Sequence, residues 1–193
     1  NAFFILFTAS INLSSAAAII SSQETQTAQR YYEQGIQYQK KGEFIKAYKA
    51  YTKAIEITPD SVAAYIKRSR IYIINAQAAK IGQDEGAFRK STEKAMSDLK
   101  KAKTITLNLQ KAKTITPKVA QGYYATIYNY IGFVYYLKED FPKAIFYNEQ
   151  AIKLEPHHPV YYNDLGMAYY SSGNNHLAKE EFKNSKIIGG PIV

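Results

Sequence analysis

The sequence predicts an all-helical array of antiparallel helix pairs, and three observations carry the prediction. First, the chain matches itself at a 34-residue offset: Tyr31, Gly35 and Tyr38 return as Tyr65, Ser69 and Tyr72. Further on, Tyr128, Gly132, Tyr135 and Ala144 return as Tyr162, Gly166, Tyr169 and Ala178. Small and aromatic residues at fixed offsets in such a period mark stacked helical pairs, each too small to bury its apolar face alone. Second, 193 residues at 46% apolar and 21% charged can close a sizeable core and are not a disordered composition. Third, Pro59 and Pro156 fall where the second helix of a pair must stop, because proline lacks the donor that the next turn needs.

Composition excludes several functions. With no cysteine there is no disulfide, thiolate metal site, Cys nucleophile or acylated lipoprotein anchor. No phosphate-binding glycine loop, nucleophile elbow or dinucleotide fingerprint is present. His157 and His158 lie in a turn bounded by Pro156 and Pro159, and His176 has no partner at metal-ligand spacing. Glu139-Asp140 and Glu180-Glu181 are sequence neighbours, not carboxylates facing across a cleft. The expectation is therefore no catalytic residue, no metal and no cofactor. The net charge of +9 is concentrated: residues 77–118 hold ten Lys/Arg against four Asp/Glu. That stretch is either a solvated basic face or a surface for nucleic acid or anionic lipid. Tyrosine is abundant at 18 while Trp is absent, so Tyr fills the aromatic positions. Its ring packs while its hydroxyl seeks water or a partner.

Residues 1–20 carry no charged side chain. The apolar run Ala2–Leu13 followed by Ala16-Ala17-Ala18 reads as a signal peptide, or as a membrane anchor of mediocre hydrophobicity. A helix packed on the protein itself is the third reading. Residues 21–27 are expected to be a linker into the repeats.

The elements then follow in order. Tyr31, Gly35, Tyr38, Gly42, Ala47, Tyr51, Ala54 and Pro59 combine small residues at a close helix crossing with tyrosines around it. This pattern resembles the tetratricopeptide repeat, and the resemblance spans residues 28–191 of a domain at 28–193. It implies a right-handed α-solenoid with repeats at about 28–61, 62–116, 125–158 and 159–191. The second repeat departs from the pattern. Its second helix takes Ala95, Leu99 and Ala102 as its small and apolar positions, 14 residues late, after the turn-like Gly82–Gly86. A further 15 residues precede the third repeat, including a duplicated hexapeptide, Lys101–Thr106 and Lys111–Thr116. Thr116-Pro117 reads as a cap that launches the next helix. The expected result is a projecting basic hairpin. In the third repeat Asn148 stands at an aromatic position.

In this family the first helices line a concave groove. Carried over, the groove residues are Tyr32, Ile36 and Gln39, then Ile66, Arg70 and Ile73 with Lys67 at the edge, then Asn129, Phe133 and Tyr136, then Asn163, Met167 and Tyr170. Such a wall suits an extended peptide or a partner helix. Asn129 and Asn163 could grip a peptide backbone, and Lys67 and Arg70 an acidic group. The carboxylate clamp of some family members needs Lys and Asn where Tyr32 and Ile36 stand, so that chaperone-binding mode is not expected. The resemblance implies a non-catalytic adaptor with a protein partner, and the uncharged apolar segment at residues 1–20 adds the expectation that it is exported or membrane-associated. The alternatives are a subunit or assembly factor of a membrane complex, or a basic hairpin binding nucleic acid or anionic lipid. Nucleic acid is not the expected partner; self-association through an uncapped last repeat is a further option.

Overall fold

The computed structural model describes the backbone of residues 2–189 and the side chains of residues 21–189. All regular structure among the described residues is helical: α1 (Ala2–Lys40), α2 (Phe44–Ile57), α3 (Val62–Ile81), α4 (Glu85–Lys111), α5 (Pro117–Leu137), α6 (Phe141–Leu154), α7 (Pro159–Ser171) and α8 (Asn175–Ile187). The chain divides into two compact units, Asn1–Ala64 and Tyr65–Val193.

In the first unit α1 packs against α2. Gly35 lies against the ring of Tyr51, which is fully buried and donates from its hydroxyl to Gln39 Oε1 at 2.9 Å. Ala47 and Ala54 fill the rest of the crossing. Residues 21–27 are not a linker: α1 runs through them without a break. They hold no glycine or proline, and Thr25 and Thr27 donate to the carbonyls of Ser21 and Gln23 one turn back, so nothing stops the helix. The signal-peptide and anchor readings fall on side chains of residues 1–20, outside the described ones. Among the described residues no helix is long and apolar enough to cross a membrane.

The second unit is built from neighbouring pairs: α4 on α5, α5 on α6, α6 on α7 and α7 on α8. Each first-to-second helix turn contains one left-handed residue, and two of these, Gln83 and Glu139, are not glycine (φ 55° and 61°). Asp84, Asp140 and Asn174 then cap α4, α6 and α8, each accepting from a backbone N–H three residues on. Most of the insertion is regular helix, within α4, between turns at residues 82–84 and 112–116. In α4, Ala95, Leu99 and Ala102 are fully buried, and Ala95 joins Ile73, Ala76, Val134 and Leu137 in one core cluster. Arg68 of α3 forks onto Asp98 of α4, with Nε–Oδ2 and Nη2–Oδ1 both at 2.8 Å. Thr116 caps α5, accepting from Val119 N, with Pro117 at the first helical position.

Candidate partner-binding cleft

The first and fourth repeats share a glycine-to-aromatic contact, and its replacement in the third sets up the site. A Cβ on Gly35 would sit 2.4 Å from Tyr51, and one on Gly166 would sit 2.7 Å from Phe182. The equivalent pair in the third repeat is Gly132 and Asn148, so an amide occupies the place of a ring. Asn148 is 1% exposed and needs a partner. Its Oδ1 accepts from Asn129 Nδ2 at 3.0 Å, and the same Nδ2 donates to Asp164 Oδ2 at 2.8 Å. A polar chain thus runs from the interior of the α5–α6 pair to α7.

The chain ends in a cleft of about 460 Å³. From α3 come Lys67, Arg70, Ile73, Ile74 and Gln77; from α5, Thr126, Asn129, Tyr130 and Phe133. The α5 set falls at i, i+3, i+4 and i+7, one stripe of a helix. His158, Val160, Tyr161 and Asp164 complete it from the start of α7 and the turn before it.

The cleft is electrostatically uneven. Burial pushes the Asp164 carboxyl up to about 6, and the amides of Asn129 and Asn163 and the charge of Arg70 oppose the rise. Burial, then the charge of Arg70, holds Lys67 below the usual lysine range. No salt bridge among the described residues engages Lys67 or Arg70. Burial also raises the Tyr130 hydroxyl, with Arg70 opposing. The His158 ring stacks on Tyr161 at 4.1 Å, and its buried Nδ1 has no hydrogen-bond partner among the described residues. The Asn163 Oδ1 is in the same condition. The site therefore offers two cations outside any described salt bridge at one wall, a shielded carboxyl at the other, and apolar surface between.

Five of the sequence-predicted residues meet here: Lys67, Arg70, Ile73, Asn129 and Phe133. Asn129 is 2% exposed and its amide donates inward, which leaves it a structural support of the cleft floor. Ile66 is 5% exposed and belongs to the interior. Tyr136 packs on Phe133 and Phe141 and shares a hydrogen bond with Ser171. Asn163 donates to the Met167 sulfur at 3.6 Å, while Tyr170 stands 66% exposed. Tyr32, Ile36 and Gln39 belong to the first unit, where the Tyr32 and Tyr51 rings lie 5.9 Å apart. Sequence reading missed Thr126, Tyr130, His158, Tyr161 and Asp164. Tyr130 and Asp164 are 34 residues apart, so a second periodic position beside Asn129 and Asn163 could have revealed them.

Sequence profiles of the tetratricopeptide repeat match residues 28–61 and 159–185. The chain carries tetratricopeptide repeats at these positions. Its fold is similar to that of the thermophilic repeat protein TTC0263 of Thermus thermophilus, at 22% identity and TM-score 0.68, over 85% of this chain and 75% of that one. MamA from Desulfovibrio magneticus RS-1 is similar over 83% of this chain and 75% of its own, at 18% identity and TM-score 0.57. BtubC from P. vanneervenii matches at 19% identity and TM-score 0.56, over 83% of this chain and 62% of that one. No curated protein sequence matches the chain. Tetratricopeptide repeat proteins are generally non-catalytic adaptors for protein partners, and the all-α fold class is the one that the repeat period predicts.

Removing the Asp164 charge gives a direct reading of this site. A carboxyl raised by the fold favours folding while protonated. Its contribution is complete below the ordinary carboxylate range, near 4, and is lost as pH rises through about 6. Asp164→Asn is therefore expected to gain stability over the wild type as pH rises from about 4 to 7, by about 1–2 kcal/mol after allowance for the carboxyl's partial exposure. Thermal melts across that range check it; a difference independent of pH would contradict the assignment.

Proposed function

We propose that the protein is an adaptor that holds an extended segment of a protein partner in the cleft between α3, α5 and α7. The observation that carries this reading is the cleft's chemistry. Lys67 and Arg70 stand side by side without a salt-bridged acid, and a shielded carboxyl is kept at a cost to stability, beside Ile73, Tyr130 and Phe133. A segment with an acidic group among apolar side chains would neutralise the cations, and its backbone N–H groups would meet the Asp164 carboxyl. Export or membrane association through residues 1–20 is part of the same proposal, supported by their uncharged, apolar composition. Membership of a larger membrane complex is the second reading, and it rests on the same segment.

Selection from a displayed peptide library tests the cleft. The wild type is expected to enrich acidic-apolar segments, and Arg70→Glu to weaken their affinity by about tenfold or more, since a charge reversal at an interface acts against the partner's charge. Arg70 is exposed, so the fold should survive the change. Unaltered affinity in Arg70→Glu would refute this site.

A further inference from the structure

The long inserted helix α4 presents a second surface, distinct from the cleft. Its buried side is set by Thr92, Ala95, Leu99, Ala102, Ile105 and Thr106. At about 100° per residue the opposite side carries every cation of the helix in two rows. Lys90, Lys94 and Lys101 form one, and Arg89, Lys100, Lys103 and Lys111 the other, all exposed. Ser97, Thr104 and Asn108 lie along the seam between them. From residue 89 to 111 the charged face runs for about 33 Å at 1.5 Å per residue.

No ion pair among the described residues answers this charge. The acids of α4 are Glu85, Glu93 and Asp98, and Asp98 is taken by Arg68. None of the described salt bridges engages one of the seven cations. Lys94 and Lys103 rest over the rings of Tyr72 and Tyr128, at 5.5 and 5.1 Å, which fixes the edges of the strip. Exposed aliphatic side chains accompany it. Ile81 before the helix is 85% exposed, Leu107 in its last turns 42%, and Val119 after it 45%.

We propose that the α4 face docks the protein on an anionic lipid surface. Six of the seven cations are lysines, point charges on long stems that suit a diffuse sheet of negative headgroups. Base recognition would call for arginine forks or exposed aromatic rings, and this face has one arginine and no exposed ring. Leu107, which lies in the second of these rows, has an apolar layer to enter beneath headgroups and none on a phosphate backbone. Clusters of four to eight basic residues on a helix are enough for such binding, at about fivefold in partition for each lysine near the surface.

Flotation of the full-length chain with vesicles tests this. Phosphatidylcholine vesicles with roughly 30 mol% phosphatidylglycerol are compared with phosphatidylcholine alone, so that membrane binding by residues 1–20 is common to both arms. The wild type is expected to prefer the anionic vesicles, and to lose that preference at about 0.5 M salt. Lys90→Gln, Lys100→Gln, Lys101→Gln and Lys111→Gln together should reduce the preference by roughly 600-fold. These side chains are exposed, and an unchanged circular dichroism spectrum and melting temperature verify that α4 is intact. Equal partition of the wild type into both vesicles would overturn the proposal, as would a preference retained by the quadruple variant. Tighter binding to a DNA duplex than to anionic vesicles at the same salt would overturn it in favour of nucleic acid.

Discussion

Replacing Asp98 with alanine is expected to destabilise the second unit by about 3–5 kcal/mol, lowering its melting temperature by about 10–20 °C. Arg68 and Asp98 meet in a two-pronged contact between α3 and α4, their side chains 16% and 8% exposed. Alanine would leave the guanidinium shielded from water without its anion, which costs far more than the pair itself contributes. The Arg68→Met, Asp98→Leu double variant should therefore recover most of the loss, because it removes both charges and keeps the volume. Chemical denaturation followed by far-ultraviolet circular dichroism checks both. A loss below about 1 kcal/mol in the single variant would place the contact at the level of a surface ion pair and leave α4 poorly anchored.

Gly35→Ala should cost the first unit about 2 kcal/mol, although alanine is the better helix former by about 1 kcal/mol. The added Cβ would stand 2.4, 2.6 and 2.9 Å from three atoms of the Tyr51 ring. That ring has no exposed surface and is tied through its hydroxyl to Gln39, so it cannot swing aside. Gly86→Ala is the control, since the nearest atom to its Cβ would be a side-chain oxygen of Asp84 at 3.5 Å. It should be neutral or slightly stabilising by the same denaturation measurement.

The repeats were legible because each solves one packing problem in the same way. Gly35 with Tyr51 and Gly166 with Phe182 are the same contact, so the period records it. The second repeat obscured its helix boundaries because its insertion is itself helical and capped by ordinary residues. The turn before α4 uses Gln83 in a left-handed conformation where the first and last repeats use Gly42 and Gly173. The hexapeptide KAKTIT shows how far context decides. Lys101–Thr106 is helix, whereas in Lys111–Thr116 the chain leaves the helix through Lys113 at φ 57° and reaches an extended Thr116 before Pro117. Residues 21–27 misled in the opposite sense: polarity suggested a linker, but without glycine or proline the preceding helix continues.

The cleft was half legible. Family positions pointed to α3 and α5, and Asn148 stood out as an amide where a ring belongs. What the period could not convey is that Asn148, Asn129 and Asp164 form one chain of hydrogen bonds. Their sequence separations of 19 and 35 residues join three helices. Asp164 therefore reads as a surface acid until the helices are packed.

The central claim is that the partner lies in the cleft between α3, α5 and α7. A photo-reactive residue placed at Val160, 41% exposed at the cleft wall, and separately at Phe146, 53% exposed on α6 outside it, tests this in native cells. One partner protein should be cross-linked from position 160, Arg70→Glu should abolish the cross-link, and position 146 should not capture it. Capture from position 146 with none from 160 would contradict the claim.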